Sequence, residues 1–286
     1  MSNVLCDGII LRLGKKMKAL VSCVTVLALA FALSGCNGGQ SNTTAGSTSA
    51  EDGATSQSAE TVEVDNAWYR DNPYAMTQGV YLVGSDLAAG NYIFTCDDDE
   101  YTGYVIVFNS VDNYVAYHTA SRFTNGEESA AVEANAAFSE YLNEGDSLNL
   151  SLQEGSVLLV EARGTLSPAE GENGEATQVV SGNPVRMVDG IYDSNQLGAG
   201  TYVLSSTEEN GGFDVVVFEN KEAYDAFENA GHSTNGEWGA AVEQNAWSDF
   251  YLNPGDSCYL NLSDDSIVMI EGGEGVAESV SMGWAL

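Results

Sequence analysis

Histidine is the usual general base near neutral pH, and this chain has two, His118 and His232. They occupy non-equivalent points of an internal repeat, with Glu228 standing where the first copy has His118, so each reads as an isolated surface residue. Four carboxylates recur in both copies as Glu127/Glu237, Glu133/Glu243, Asp146/Asp256 and Glu161/Glu271. Two such groups about 5 Å, or about 6.5–9.5 Å, apart could run a glycoside hydrolase. Asp146 and Asp256 already have a structural task in turns. The run Asp97-Asp98-Asp99-Glu100 offers the oxygen ligands that calcium takes. Its counterpart Thr207-Glu208-Glu209-Asn210 is sparser and neither follows EF-hand spacing, so a solvated loop is expected, with calcium an option in the first copy alone. No Gly-x-Ser-x-Gly elbow, zincin helix or phosphate-binding loop is present. No catalytic, cofactor-binding or metal-ligating residue is therefore assigned, no cofactor is implied, and catalysis is not expected.

One residue does carry defined chemistry. Arg12, Lys15, Lys16 and Lys18 precede an apolar run from Ala19 to Leu33, which ends in Leu33-Ser34-Gly35-Cys36 and gives way to a polar tract. A basic start, an apolar middle and small residues at the cut make a secretory signal. The last four residues resemble the bacterial lipobox, which implies that the Cys36 sulfur takes a diacylglyceryl group and that cleavage falls on its amino side. A spanning anchor would need about twenty apolar residues, more than the run supplies. Met17 is an ordinary start for such a signal, which makes it the expected initiator. The expectation is a lipid-anchored protein on the extracellular face of a bacterial membrane, held there through Cys36.

Removal of the signal leaves five of the nine Lys and Arg and 41 of the 42 acids, a net charge near −36. So acidic a surface repels nucleic acid and anionic headgroups. Nucleic-acid binding is excluded. Of five cysteines, Cys6 and Cys23 leave with the signal and Cys36 takes lipid. Cys96 and Cys258 remain, at non-equivalent repeat positions, which argues against a bridge although the compartment permits one. Cys258, in step with Leu260 and Leu262, reads as a small core residue.

These residues are positioned by a tandem repeat. Asn72-Pro73, Met76, Gly79 and Tyr81 recur 111 positions on; after a one-residue gap the offset becomes 110, as in Val105-Ile106-Val107-Phe108 and Val215-Val216-Val217-Phe218. The expected organisation is a signal at 1–35, the lipidated cysteine and a flexible linker at 36–71, a β module at 72–164, a linker at 165–182 and a second β module at 183–286. Strands are expected at Asn91–Cys96, Tyr104–Phe108, Ser147–Leu152 and Ser156–Val160. Asn253-Pro254-Gly255-Asp256 fits a type II turn, so Phe250–Leu252 should form a hairpin with Cys258–Leu262, and Tyr141-Leu142 its copy with Leu148–Leu152. Glu127–Phe138 and Lys221–Asn229 are short helix candidates. The fold class that follows is mainly β: two tandem β-sandwich, jelly-roll-like domains.

Gly79-Val80-Tyr81, then Asp86-Leu87-Ala88-Ala89-Gly90-Asn91-Tyr92, closing with Leu142-x-x-Gly145-Asp146, resembles the "D-I-P-A-G-T-Y" type of module of secreted lipoproteins from Gram-positive bacteria. Ala88 and Gly198 replace its proline, and Gln196 its second-copy aspartate. The resemblance implies an extracellular β-rich protein and no active-site positions. Fourteen tyrosines and four tryptophans suit stacking on sugar rings. Recurrence of Tyr81, Tyr92, Phe108 and Tyr141 points to core packing instead, and Trp68 and Trp284 are expected to cover a domain edge. The expected function is binding or cell-envelope interaction, with a glycan or an envelope protein as partner and two modules allowing avidity. The alternatives are an envelope glycan hydrolase with paired carboxylates, or a spacer without ligand.

Overall fold

Short runs of β-branched and aromatic residues, broken by Gly, Asn and Asp, favour extended chain over helix, and the computed structural model shows the strands they make. It describes residues 72, 74–97, 103–120, 128–169, 175–209, 211–230 and 237–285, with backbone alone at 175–179, 181–182, 237 and 282–285. The signal, Cys36, the 37–71 tract, Trp68, Asp98–Glu100, Glu127 and His232 lie outside the described residues.

The fold is mainly β and of the sandwich class. The first copy contains β1 (Ala75–Met76), β2 (Gln78–Leu82), β3 (Gly90–Cys96), β4 (Gly103–Phe108), α1 (Val111–His118), α2 (Glu128–Asn135), β5 (Ala136–Leu142), β6 (Ser147–Leu152), β7 (Val157–Val160) and β8 (Gly164–Pro168). The second contains β9 (Glu175–Tyr192), β10 (Gly200–Ser206), β11 (Phe213–Phe218), α3 (Lys221–Ala230), α4 (Glu237–Asn245), β12 (Ser248–Leu252), β13 (Ser257–Leu262) and β14 (Ile267–Ala285). Thr165–Gly182, expected as a linker, therefore carries most of β8 and the beginning of β9.

In the first copy the strands run β1-β8-β3-β6 in one layer and β2-β7-β4-β5 in the other. The second copy repeats both orders with two long strands. β14 pairs with β11 over Ile267–Glu271 and with β10 over Gly275–Ser279, while β9 follows it through both portions. The passage between layers coincides with a register shift between Ile270 and Glu274, where Gly272 takes a φ of +90° that a side chain would disfavour.

The expected hairpins do not form. β5 pairs with β4, whereas β6 pairs with β3 in the opposite layer; β12 and β13 part in the same way, to β11 and β10. The turn itself directs this. The Asp146 carboxylate accepts from the Asn143 N–H and side-chain amide, both at 2.9 Å, and the Gly145 N–H donates to the Cys96 carbonyl at 2.9 Å, which ties the turn to the end of β3. A tight turn thus hands the chain from one layer to the other.

The tyrosine that ends the repeated Asp-Leu-Ala-Ala-Gly-Asn-Tyr motif also has a local task. Its hydroxyl in Tyr92 donates back to the Ala88 carbonyl at 2.7 Å, and Tyr202 does the same to the Leu197 carbonyl. Such bonds lock the loop entering β3 and β10.

The helices form where caps and apolar spacing allow them. Ser110 caps α1, its hydroxyl oxygen accepting from the Asn113 N–H at 3.3 Å, and Tyr114, Tyr117 and His118 fall on one buried face. Glu128–Asn135 and Lys221–Ala230 realise the two expected helices, except that Ala136–Phe138, expected as the end of the first, begin β5, and α4 repeats the first of them despite Gly239. α3 and α4 cover the outer face of β11 and β14 through Phe227, Ala241 and Val242 against Phe218, Val216 and Met269.

The copies are not separate sandwiches. β13 runs parallel to β2, Cys258 opposite Gln78 and Tyr259 opposite Gly79, so one layer of each copy joins the other edge to edge. Gly79 permits this approach, since a Cβ there would lie 2.8 Å from that of Tyr259. The hydrophobic clusters cross the boundary: Phe108, Tyr114 and Leu159 pack in one core with Phe250, Leu260 and Ile270, and Tyr81 and Leu158 in another with Val203, Tyr259 and Val280. Cys96 and Cys258 are buried thiols, not bridged to each other, and Cys258 lies in the core beside Leu260 as its position in the strand indicated.

Candidate functional site

α1 presents its last residue to the other copy. The His118 ring is 3% exposed; Nδ1 lies 3.2 Å from the Glu243 carbonyl oxygen and Nε2 lies 3.0 Å from Oδ1 of Asp249. Both nitrogens thus face acceptors, which is satisfied when both carry hydrogen or when the Asp249 carboxyl supplies one. One turn earlier, the Tyr114 hydroxyl donates to the Trp247 carbonyl at 2.6 Å, and the two rings meet edge-on at 5.1 Å. His118 is therefore a buried contact between copies, not the isolated surface residue expected. Its partner lies 131 positions away, at a place where the first copy has Ser139, so comparison of the repeats could not supply it.

Beside this contact lies a cavity of about 240 Å³. Gln78, Val80, Leu159 and Glu161 of the first copy's sheet form one wall, Tyr114 and His118 of α1 another, and Ser248–Tyr251 of β12 the third. Tyr251, 52% exposed, stands at the solvent side.

Strand alternation continues the polar lining onto the outer face of the second copy. Asp214 on β11 is opposite Tyr251 on one side and Glu271 on the other. The Asp214 carboxyl is pushed up to about 6, first by burial and then by the charges of Glu271 and Asp249. Trp238 donates its ring N–H to Glu271 Oε2 at 3.1 Å. At the matching place in the first copy, Tyr104 and Tyr141 stack with centroids 3.9 Å apart and planes at 3°. The Tyr141 hydroxyl is pushed up to about 12, by burial first, then by Tyr104, Glu128 and Glu161.

Tyr141 is 58% exposed, which corrects its expected core position; Tyr81, Tyr92 and Phe108 are fully buried, as recurrence suggested. The physical reason is the side of the strand. Leu142, one residue on, takes the core-facing place and leaves Tyr141 outward. Trp284 pairs through its backbone with Ala176, and its side chain is not described.

The repeated carboxylates are dispersed. Asp146 and Asp256 close turns, Glu133 is exposed, and Glu243 is 1% exposed with its carbonyl on His118. Of these pairs Glu161 lines the cavity and Glu271 faces Asp214, an unrepeated residue that a search for recurring acids passes over. Asp97 Oδ2 accepts from the Thr165 hydroxyl at 2.7 Å. Among the described residues no group of three or more His, Cys, Asp or Glu side chains is placed to hold a metal ion.

No family model matches the chain, and no curated protein matches it. Among solved structures, it is similar to a cupin 2 conserved barrel domain protein from Leptotrichia buccalis, at 10% identity over 73% of this chain and 81% of that one, with a TM-score of 0.19. A second likeness, to the PBSX exported protein XepA, has 10% identity over 74% of this chain and 82% of that one, with a TM-score of 0.17.

Proposed function

We propose that this chain is a lipid-anchored extracellular protein of the bacterial envelope that binds a ligand in the cleft between its two repeats. The cavity carries the reading: its walls come from both copies, aromatic and apolar side chains share the lining with Gln78, His118, Glu161, Ser248 and Asp249, and the exposed Tyr251 is among them, a mixture that suits a polar small molecule or a glycan. The anchor rests on Leu33-Ser34-Gly35-Cys36. Co-sedimentation of the full chain with peptidoglycan and with a panel of glycans tests binding; retention that survives salt and is lost in Tyr251→Ala is expected. Absence of retention by every surface, with a folded protein, would remove the glycan reading and send the search to envelope proteins by cross-linking on cells.

A second reading, glycan hydrolysis, is supported by one observation. Asp214 and Glu271 are direct cross-strand neighbours, and a carboxyl pushed up to about 6 by burial beside a second carboxylate is an arrangement that retaining glycosidases use. Release of reducing ends by wild type and not by Asp214→Asn would establish it.

A further inference from the structure

Recurrence and exposure part company at one position of the repeat. Tyr141 and Tyr251 occupy matching places on β5 and β12, yet they are 58% and 52% exposed, so packing within each copy does not account for both being tyrosine. Each begins a row of cross-strand neighbours. Tyr141 is opposite Tyr104 on β4, whose carbonyl accepts from the Glu161 N–H at 2.9 Å; Tyr251 is opposite Asp214 on β11, which is opposite Glu271 on β14. The ends of the row, a tyrosine and a glutamate, are the same in both copies, and only the middle differs.

Both rings are set in place by what lies under them. Tyr141 lies flat on Tyr104 and turns its other face outward. Tyr251 lies against Gly212, where a Cβ would come within 2.5 Å of its Cε1. A ring already fixed loses little freedom when a ligand settles on it. The two rows meet at the seam, because Glu161 and Gln78 line the cleft from the first copy and Tyr251 lines it from the second. From Tyr141 on β5 to Gln78 on β2 the first row crosses three strand spacings, about 14 Å, which is more than one sugar ring covers.

We propose that the two rows and the cleft between them form one track for an uncharged polysaccharide, with Tyr141 and Tyr251 as stacking platforms for separate sugar rings and Glu161 and Glu271 as acceptors for their hydroxyls. This deepens the binding reading and rests on it. A sugar ring has an apolar C–H face and hydroxyl donors at its rim, which an outward aromatic face with carboxylates beside it matches. The acceptors need not be unpartnered. An ionised carboxylate has about four lone-pair sites, and at Glu271 the Trp238 ring N–H takes one of them. A formal net charge of −33 repels a polyanion and leaves an uncharged polymer unopposed.

Calorimetric titration of the full chain with cello-, laminari- and chito-oligosaccharides of two and six units, and with polygalacturonate, tests the proposal alongside the co-sedimentation above. At least one hexamer should bind, about tenfold or more tighter than its dimer, because a second platform on the same chain engages without a second encounter. Tyr141→Ala and Tyr251→Ala should each weaken that hexamer about tenfold or more and leave the dimer within reach of it, whereas Tyr141→Phe should keep most of the affinity. In wild type, the hexamer should shield Tyr141 and Tyr251 from hydroxyl-radical oxidation, read by mass mapping, and leave Phe138, on the other face of β5, unshielded; this readout stands even where an alanine variant does not fold. Equal affinity for dimer and hexamer, or tighter binding of polygalacturonate, would overturn the track. Hexamer binding that is lost in Tyr251→Ala and untouched by Tyr141→Ala would overturn it as well and leave the cleft as a binding site. Failure of every hexamer with retention on peptidoglycan would overturn the inference alone, whereas failure of both would overturn the binding reading with it.

Discussion

The ring of Tyr259 lies on that of Tyr81, centroids 4.5 Å apart and planes at 19°, one from each copy of the repeat. Around this stack the copies depart from one another. Tyr259, Asn261, Trp247, Asp249 and His118 have Asn149, Ser151, Ala137, Ser139 and Glu228 as counterparts, and Asp86, which accepts from the Asn261 side-chain amide at 2.8 Å, has Gln196. Each of these residues touches the other copy or supports one that does. Their counterparts lack the same groups, so the outer edges β6 and β9 do not present a second seam of this chemistry, and the pairing closes at two.

Loss of the stack should loosen the join between copies. Tyr259→Ala removes a ring only 2% exposed, and unfolding in urea should show a loss of about 3–5 kcal/mol. Tyr259→Phe should cost far less, because the ring and its packing stay. Equal losses for the two variants would show that the hydroxyl, not the stack, holds the seam.

His118 and Asp249 should be energetically coupled. Each of His118→Ala and Asp249→Ala leaves its partner without the 3.0 Å contact, and the expected losses are about 2–3 kcal/mol for the buried histidine and about 1–2 for the partly buried aspartate. A double-mutant cycle should give a coupling energy of about 1 kcal/mol or more. Additive losses would mean the pair contributes through packing alone.

Asp214 makes stability depend on pH. Its carboxyl titrates near 6 in the folded chain, because burial and then Glu271 and Asp249 disfavour the charge, against a value near 4 in an unfolded one. The folded state therefore binds the proton more tightly; the stabilisation is complete below about pH 4 and is lost as pH rises through about 6. Asp214→Asn should be more stable than wild type at pH 8, by on the order of 1 kcal/mol after solvent screening at this half-buried site, and close to it at pH 4. Urea midpoints at the two pH values check this. A variant less stable than wild type at pH 8 would show that the carboxylate is favourably engaged there.

The two core thiols should be silent in the folded chain. Both are 0% exposed, and burial, then Asp256, pushes the Cys258 thiol well above its ordinary range. Maleimide labelling followed by mass mapping should leave Cys96 and Cys258 unmodified in the native protein and modify both in urea. Native labelling at the unfolded rate would contradict the burial.

A lipid anchor makes the simplest test of the leader. Growth with a clickable fatty acid should tag the protein, and Cys36→Ala should be unlabelled and released to the medium. A labelled Cys36→Ala protein would place the lipid elsewhere.

The sequence by itself determined the β class, the strands at Asn91–Cys96 and Tyr104–Phe108, one helix in each copy, over Glu128–Asn135 and from Lys221, and the burial of Cys258, Tyr81 and Tyr92. These are set by neighbours along the chain, through alternation, caps and turn residues, and the repeat states them twice. Only the tertiary structure decided how the turn at Asn143–Asp146 is used, because a tight turn looks the same whether its strands pair or part into two layers. It also decided the seam. His118 with Asp249, Tyr81 with Tyr259 and Asp86 with Asn261 join positions more than a hundred residues apart, and at least one member of each pair stands where the repeat is broken rather than kept. Recurrence marks what each copy needs within itself. Contacts between unlike faces of the two copies leave no recurring mark, so the cleft and its lining arise only when β13 is laid beside β2.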